Sequence, residues 1–318
     1  MTPKLVQLAL RRALREVRHV RPVSYGRATG QVRAVYRQVE RDFGMLAPPV
    51  ALHSPSPPVL AASWVMLRES LVAAGATSRA DREVVASLVS RSNACPYCVE
   101  VHGMALASLG RSSAASAIVE GRPVADPLAG PLPPAARTEL TAVAFTFHYL
   151  NRVVSVFLGA SPLPSSVPDS ARAKAKAMLG RFLKPVEDAS PGLSLPLLGP
   201  GSRDFSWAAG NPVVEDAFSR AESVFASLAI PASVREVVER ELSTWDGSPP
   251  GVSRSWVDAF DDPVVRLALL VVKAPYQVDD ALVAAAGLGD RELIELVGWA
   301  AFTAAAHRVS QRPTRFVL

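Results

Sequence analysis

The chain has 318 residues, which is enough for one large or two ordinary domains. Apolar residues make up 49% and charged residues 20%, a balance typical of globular rather than disordered proteins. Alanine is abundant and alternating β-branched stretches are hard to find, so the composition favours an all-α fold. The longest apolar stretches, such as residues 297–306, are shorter than the ~20 residues of a membrane helix. No membrane span is predicted.

The first 33 residues are strongly basic. They carry eight lysines or arginines against one acid, Glu16, and they supply most of the formal net charge of +5. The pattern predicts a basic amphipathic helical arm. Its apolar side is formed by Leu5, Leu8, Ala9 and Leu14. The arm lacks a secretory cleavage site and the interleaved aromatic residues of single-strand binders, so we expect it to pack on its own protein or on a neighbouring subunit, with no nucleic acid as partner.

The next segments predict helices and a proline-rich loop. Helices are expected over residues 32–43 and 60–74, on either side of the loop at residues 47–58. His53 lies in that loop and is expected to be solvated. Ser78 is a plausible N-cap for the following helix, and Asp81 would lie in its first turn.

The two cysteines, Cys95 and Cys98, lie at the predicted start of a helix. Pro96 suits the first helical position, so Cys95 would lie at the helix N-terminus, where the helix dipole favours a thiolate. His102 follows Cys98 by four residues, which places both on one helical face. Glu83 lies on the preceding helix, and antiparallel packing would bring its carboxylate to His102. The pattern predicts a carboxylate, an imidazole and a dithiol in series.

The same residues have other interpretations. A zinc site has suitable ligand types here but no second ligand pair at zinc-finger spacing. A structural disulfide would close a very short loop, which stabilises a fold little. Two buried free cysteines are common in cytosolic proteins. We favour a redox-active dithiol because the helix start, the proline, the histidine and the glutamate all agree with it.

The order Glu83, Cys95, Cys98, His102 resembles the active-site motif of AhpD-like alkylhydroperoxidases in the carboxymuconolactone decarboxylase superfamily. The resemblance implies a helical fold, a Glu83–His102 proton relay, a peroxidatic Cys98 and a resolving Cys95. The helix-dipole argument instead makes Cys95 the readier thiolate, so the order of attack stays open. Tyr97 stands where the best-known hydroperoxidases of this type carry a second histidine. The resemblance also implies association as trimers or hexamers, and so a homo-oligomer.

A long helix is predicted over residues 135–158. Its segment at residues 147–153 is similar to the last helix of peroxidase-related members of the superfamily, which packs beside the dithiol helix. His148 would then line the site together with Tyr97, although a histidine among aromatic residues is also typical of a core position. Tyr149 and Asn151 are candidates for the same role on the same footing as His148.

Proline-rich loops and one helix fill residues 161–211, and helices resume from residue 212, one of them predicted over residues 252–260. A sparse internal repeat at an offset of 156 residues aligns the helix at 135–158 with the last helix. Its matches are Glu139 with Glu295, Leu140 with Leu296, Ala144 with Ala300, Arg152 with Arg308 and Val153 with Val309. We therefore predict an arm at 1–33, a dithiol domain at 34–160, a linker region at 161–211 and a second helical domain at 212–318. The last is interpreted as a degenerate copy without cysteines.

These features predict a cytoplasmic, cofactor-free thiol peroxidase or disulfide reductase. Its substrate would be a small peroxide, and the resemblance implies that a dihydrolipoyl group on a carrier protein returns the electrons. A thioredoxin-like dithiol is an alternative donor. Two other hypotheses are a non-catalytic assembly or partner-binding protein, and a lactone decarboxylase of the same superfamily. Decarboxylases of that kind do not rely on a C-x-x-C pair, which argues against the last.

Overall fold

The structure is a computed structural model, and it describes residues 13–163, 167–182 and 189–311. Within these ranges the chain forms helices and connecting loops without any β-strand, so the predicted all-α fold is confirmed. The first half contains α1 (Gly30–Phe43), α2 (Pro48–Ala51), α3 (Pro57–Leu67), α4 (Arg79–Ser92), α5 (Pro96–Ser108), α6 (Ser112–Glu120) and α7 (Pro134–Phe157). It is followed by α8 (Asp169–Phe182), α9 (Pro212–Ser227), α10 (Ala232–Ser243), α11 (Ser255–Asp258), α12 (Pro263–Lys273), α13 (Asp280–Ala286) and α14 (Asp290–Gln311).

Helix α7 lies at the centre of the molecule. It packs against α4 on one side and most extensively against α14 on the other. Within the described ranges it is the one helix long and apolar enough to cross a membrane, yet 94% of its most apolar window is buried by the rest of the chain. Such burial is typical of a core helix, whose apolar residues face other helices on all sides.

The hairpin of α4 and α5 carries the cysteine motif. Helix α4 begins as predicted, because the Ser78 hydroxyl accepts a hydrogen bond from the backbone N–H of Asp81. The chain then reverses at Ala94, which has a positive φ of 52°, a conformation that costs free energy for a residue with a side chain. Cys95 is the N-cap of α5 and Pro96 occupies its first turn. The turn therefore presents the dithiol at a helix start.

The Ser78 cap gives a direct test of how α4 is held. Substitution of Ser78 by alanine is expected to lower the free energy of unfolding by about 1 kcal/mol, because the Asp81 N–H loses its partner. Urea denaturation followed by circular dichroism measures this change. Ser116→Ala is the matched control, since this exposed serine lies inside α6 and its replacement should be neutral or slightly stabilising. An equal loss in both variants would contradict the capping role.

The second half joins the same hydrophobic core as the first. Pro134 and Asp290, the first residues of α7 and α14, are separated by the offset of the predicted repeat, and the two helices pack together. Leu198 and Phe205, from the region predicted as a linker, are also buried in this core. The length of the second half fits a second copy. The predicted domain limits stay predictions.

The described part of the basic arm packs on its own chain. Leu14 is buried in the core, and the guanidinium of Arg18 donates to the carbonyls of Val156 and Leu158 at the end of α7. A cation at a helix C-terminus satisfies free carbonyls and complements the helix dipole. Leu5, Leu8 and Ala9 lie outside the described residues.

Three details of the sequence analysis are corrected by the structure. His53 is fully buried rather than solvated, with its Nε2 2.9 Å from the Tyr149 hydroxyl and its Nδ1 3.1 Å from the Val50 carbonyl. The helix predicted over residues 252–260 shrinks to the single turn α11, and Val252 is 94% exposed. The helix predicted over residues 60–74 starts earlier, at Pro57, and ends in a π-helical turn, Arg68–Val72.

Candidate active site

The two cysteine sulfurs lie 2.9 Å apart, and both cysteines are free thiols. Only 1% of Cys95 and 4% of Cys98 is exposed. At this distance one thiol donates a hydrogen bond to the other sulfur. Only a small movement is needed for the two sulfurs to form a disulfide once they are oxidised. The pair is therefore geometrically prepared for reversible oxidation.

A buried carboxylate orients the histidine of the motif. The Nδ1 atom of His102 lies 2.6 Å from Oε2 of Glu83, so Nδ1–H donates and Nε2 is left as the proton-accepting atom. Arg79, one turn before Glu83 on α4, donates to the other carboxylate oxygen at 2.8 Å. Burial alone would raise the pKa of Glu83, but the charges and hydrogen bonds of Arg79 and His102 lower it to about 2. Glu83 is thus a carboxylate at neutral pH.

An apolar cavity of about 90 Å³ meets the dithiol on the Cys98 side. Cys98, His102 and Tyr97 supply the polar groups of its wall, and the rings of Phe147 and His102 meet at nearly a right angle with centroids 4.5 Å apart. The rest of the wall is apolar and includes Phe43, Met45, Val50, Leu67, Leu71, Val101, Leu150 and Val154. The cavity suits a small apolar molecule that carries a reactive end at Cys98.

Two side chains of α7, Ser155 and Asn151, lower the pKa values of the thiols, whereas burial raises them. Burial raises the pKa of Cys95, but hydrogen bonds with the side chain and backbone of Cys98, and a smaller contribution from Ser155, outweigh it and leave this pKa below its ordinary value. Burial and the neighbouring Cys95 raise the pKa of Cys98 well above its ordinary value, and a hydrogen bond from Asn151 opposes the rise. The first negative charge of the pair therefore resides on Cys95, as expected for the residue at the helix N-terminus.

The Ser155 contact predicts a shift in the first ionisation of the dithiol. In Ser155→Ala this ionisation should move to higher pH and reduce the thiolate fraction at neutral pH by up to about tenfold, because a hydrogen bond to a charged group contributes about 1.5 kcal/mol. Thiolate absorbance of the reduced protein as a function of pH measures it. Ser108→Ala removes a hydroxyl at the far end of α5 and serves as control. An unchanged titration in Ser155→Ala would contradict the assignment.

The structure brings most of the predicted site residues together. Glu83, Cys95, Cys98 and His102 form one cluster, and Tyr97 lies in the wall of the cavity beside it. Burial and the nearby thiols raise the pKa of Tyr97, which keeps its hydroxyl protonated.

His148 lies elsewhere, behind the dithiol. It is fully buried, its Nδ1 is 3.1 Å from the Asn93 side chain, and it is not among the residues that line the cavity. Asn151 takes the place on α7 that contacts Cys98, and it also accepts a hydrogen bond from Asn93 at 2.9 Å. Burial lowers the pKa of His148 well below its ordinary value, so this imidazole stays neutral.

The sequence analysis missed Arg79 and Ser155. The spacing of Arg79, four residues before Glu83 on one helix, was a usable signal for an ion pair. Ser155 had no such signal, because its contact with Cys95 arises only when α7 packs across the helix start. Within the described ranges, no group of three or more histidine, cysteine, aspartate or glutamate side chains is arranged to hold a metal ion.

Comparison with known proteins agrees with the motif. No family model matches the chain, and no solved structure matches it significantly. The chain is 33% identical over 321 aligned positions to an alkyl hydroperoxide reductase of Mycobacterium tuberculosis, and the alignment covers 91% of this chain and 93% of that protein. A match of this identity along nearly the full length of both chains, together with the helical fold and the C-x-x-C site, places this chain in the AhpD-like alkyl hydroperoxide reductase family.

Proposed function

We propose that the protein reduces small alkyl hydroperoxides through a dithiol and disulfide cycle of Cys95 and Cys98. One observation carries the proposal. Cys98 and His102 share a wall of an apolar cavity, while Cys95 lies 2.9 Å from Cys98 and outside that wall. The cavity admits an alkyl group beside one sulfur, and the second sulfur stands ready to close a disulfide. The name of the mycobacterial relative supports the same substrate class.

In the first step, the Cys98 thiolate attacks the terminal oxygen of the peroxide. The O–O bond breaks, Cys98 becomes a sulfenic acid, and the alkoxide leaves as an alcohol after it takes a proton. His102 supplies that proton from Nε2, since its Nδ1–H is bound to Glu83. The carboxylate of Glu83 stabilises the imidazolium before the transfer and fixes the ring.

In the second step, the Cys95 thiolate attacks the sulfenic sulfur of Cys98. A disulfide forms and the hydroxyl leaves as water after protonation. The low pKa of Cys95 suits this role, because the resolving sulfur must be charged once Cys98 has been oxidised. The sum of both steps converts one peroxide and two thiols into an alcohol, water and one disulfide.

Because the pKa of Cys98 is high, this thiol must lose its proton before it attacks the peroxide. Before peroxide binds, the charge resides on Cys95 and Cys98 keeps its proton. Transfer of that proton to Nε2 of His102 generates the attacking thiolate at the cavity wall and the imidazolium that later protonates the alkoxide. Asn151 stabilises this thiolate by the hydrogen bond from its side chain.

The disulfide must be reduced by an external dithiol to complete the cycle. A dihydrolipoyl group on a carrier protein or a thioredoxin-like protein supplies two electrons and two protons by thiol exchange.

The volume of the apolar cavity also limits the size of the substrate. The cavity volume of about 90 Å³ favours a short alkyl group over an aromatic one, since a cavity of about 150 Å³ accommodates a benzene ring.

The test is a peroxide consumption assay with dihydrolipoamide as reductant. Wild type should reduce ethyl hydroperoxide faster than cumene hydroperoxide, and the double variant Cys95→Ser, Cys98→Ser should match the rate of the reductant alone. A wild-type rate no higher than that of the double variant would refute the peroxidase. Such a result, with an ordinary thiol pKa at both cysteines, would favour a partner-binding protein.

A further inference from the structure

A cavity of about 490 Å³ lies mainly in the second half of the chain, and we call it the second-half cavity. It occupies the place that the repeat assigns to the apolar cavity. Three residues of α7 line the apolar cavity, and their three counterparts on α14 at the repeat offset line the second-half cavity. The pairs are Phe147 with Thr303, Leu150 with Ala306 and Val154 with Ser310. The loop residues 47–50 line the apolar cavity, and their counterparts 203–206 line the second-half cavity. Two separate segments thus relate the two cavities.

Packing between the halves supports this relation. Helices α3 and α9 begin at Pro57 and Pro212, which are separated by almost the same offset, and they pack together as α7 and α14 do. Equivalent helices therefore meet in pairs, as they do across the two-fold axis of a dimer. One wall differs, because α5 brings Cys98 to the apolar cavity, whereas α10 brings Arg235 and Glu239 to the second-half cavity. The second half therefore retains a cavity without the dithiol.

The apolar wall of the second-half cavity is mostly aromatic. Apart from two alanines, its apolar residues are Phe145, Phe205, Trp207, Phe225, Trp299 and Phe302. The side chains that α14 supplies are also smaller than their counterparts on α7, in agreement with a volume of about 490 Å³ against about 90 Å³. Small-molecule sites commonly have volumes of about 300–1,000 Å³. The cavity is therefore large enough for a ligand with an aromatic ring.

The charged residues around this cavity leave an excess of negative charge. Three acids and two arginines line it. Arg203 pairs with Glu222 at 3.6 Å, and Arg235 donates to backbone carbonyls at the end of α9. Asp204 and Glu239 form no ion pair with any described residue. Two carboxylates are thus available to a cation at the rim.

The neutral polar groups of the wall are acceptors. Nε2 of His307 lies 2.9 Å from the Trp245 carbonyl, so Nε2 carries the hydrogen and Nδ1 is the acceptor of the neutral ring. The Thr303 hydroxyl donates to the Trp299 carbonyl, and the Ser310 hydroxyl donates to the His307 carbonyl, each at 2.9 Å. A hydroxyl that donates its one hydrogen in this way can only accept from a ligand. These groups suit a ligand that carries N–H donors.

We propose that the second-half cavity binds a small aromatic amine in its protonated form. The ring of the ligand packs among the aromatic side chains, and its ammonium group lies at the rim near Asp204 and Glu239. Aromatic faces attract cations, and the guanidinium groups of the two arginines already lie over rings of this wall, at 5.7 Å and 5.2 Å from their centroids. The proposal does not depend on peroxide reduction by the dithiol.

Isothermal titration calorimetry of the full chain with tryptamine tests the site. Tryptamine should bind at least about tenfold more tightly than its neutral analogue tryptophol or the anion indole-3-propionate. The double variant Asp204→Asn, Glu239→Gln should weaken tryptamine binding about tenfold and leave tryptophol binding almost unchanged. Glu236→Gln is the matched control, because Glu236 is exposed on α10 and does not line the cavity.

A second variant tests the space rather than the charge. Ala306→Leu introduces the side chain that α7 carries at the equivalent position, Leu150, and so fills part of the second-half cavity. It should weaken tryptamine binding at least about tenfold, because the ring no longer fits without displacement of its neighbours. Ala284→Leu, at an exposed position of α13, should bind like wild type. Thermal unfolding without ligand shows that each variant is folded before its affinity is compared.

Three results would overturn the proposal. Absence of tryptamine binding to wild type would refute the site itself. Equal affinity for tryptamine and tryptophol would refute the recognition of charge, and equal affinity in wild type and Ala306→Leu would place the ligand elsewhere. The double variant Cys95→Ser, Cys98→Ser should bind tryptamine like wild type, which separates this site from the dithiol.

Discussion

Substitution of Cys98 by serine is expected to abolish peroxide reduction, with a loss of at least about a thousandfold in turnover. A serine hydroxyl in the same place is too weak a nucleophile to attack the O–O bond, and no other described thiol lines the apolar cavity. The expected rate is that of the reductant alone. Peroxide consumption under steady-state conditions measures it.

Cys95→Ser is the informative counterpart, because it should separate attack from resolution. This variant retains the sulfur at the cavity wall, so it should consume one equivalent of peroxide and then stop. Cys98 should then carry one additional oxygen as a sulfenic acid, which intact mass spectrometry and a sulfenic acid trap detect. In Cys98→Ser, no oxygen should be added to Cys95.

The opposite pattern would reverse the two roles. The lowered pKa of Cys95 makes it the more charged sulfur, whereas the cavity makes Cys98 the sulfur that peroxide reaches. An extra oxygen on Cys95 in Cys98→Ser would show that charge rather than access decides the attack. Single turnover in neither variant would contradict dithiol peroxidase chemistry altogether.

Much of this site follows from local sequence because its parts lie on one helical hairpin. The spacing of Cys98 and His102 fixes their common face, Pro96 marks the helix start, and Ser78 caps the helix that carries Glu83. These relations depend on periods of three and four residues and on short-range hydrogen bonds, which a sequence displays directly. The all-α fold was predictable from composition, because alanine is abundant and alternating β-branched stretches are rare.

The remaining features arise from packing between distant segments. Asn151 and His148 were equal candidates, but the orientation of α7 places Asn151 beside Cys98 and His148 beside Asn93. His53 was expected in solvent because prolines surround it, yet its loop folds under α7 and places the imidazole against Tyr149. The sequence of α7 is apolar on all sides of the helix, so it has no single buried face. Its periodicity therefore does not show which element each side of the helix contacts.

The amide variant Glu83→Gln should lower the rate of peroxide reduction by about a hundredfold to a thousandfold. It keeps the size of the side chain but removes the charge that stabilises protonated His102, and general acid catalysis contributes a factor of this size. The rate of sulfenic acid formation isolates this step. It is measured in the double variant Cys95→Ser, Glu83→Gln and compared with the rate in Cys95→Ser alone. Glu100→Gln is the matched control, because Glu100 lies on α5 and pairs with Lys176 at 3.1 Å without lining the apolar cavity.

The same substitution should change how stability depends on pH. The pKa of Glu83 is about 2 in the folded chain against an ordinary value of 4.5. A lowered carboxyl pKa means that the unfolded state binds the proton more readily, so the stabilisation is complete above pH 4.5 and is lost as pH falls toward 2. The shift corresponds to roughly 3 kcal/mol at neutral pH.

The difference in unfolding free energy between wild type and Glu83→Gln should therefore shrink as the pH falls below 4.5. Urea denaturation of both proteins from neutral pH into this window measures the difference. The change in stability and the change in rate arise together because one carboxylate serves both. Glu83 accepts a hydrogen bond from Arg79 and another from His102. A pH-independent stability difference, or a rate equal to that of Glu100→Gln, would show that the buried carboxylate serves neither the fold nor the proton transfer in this way.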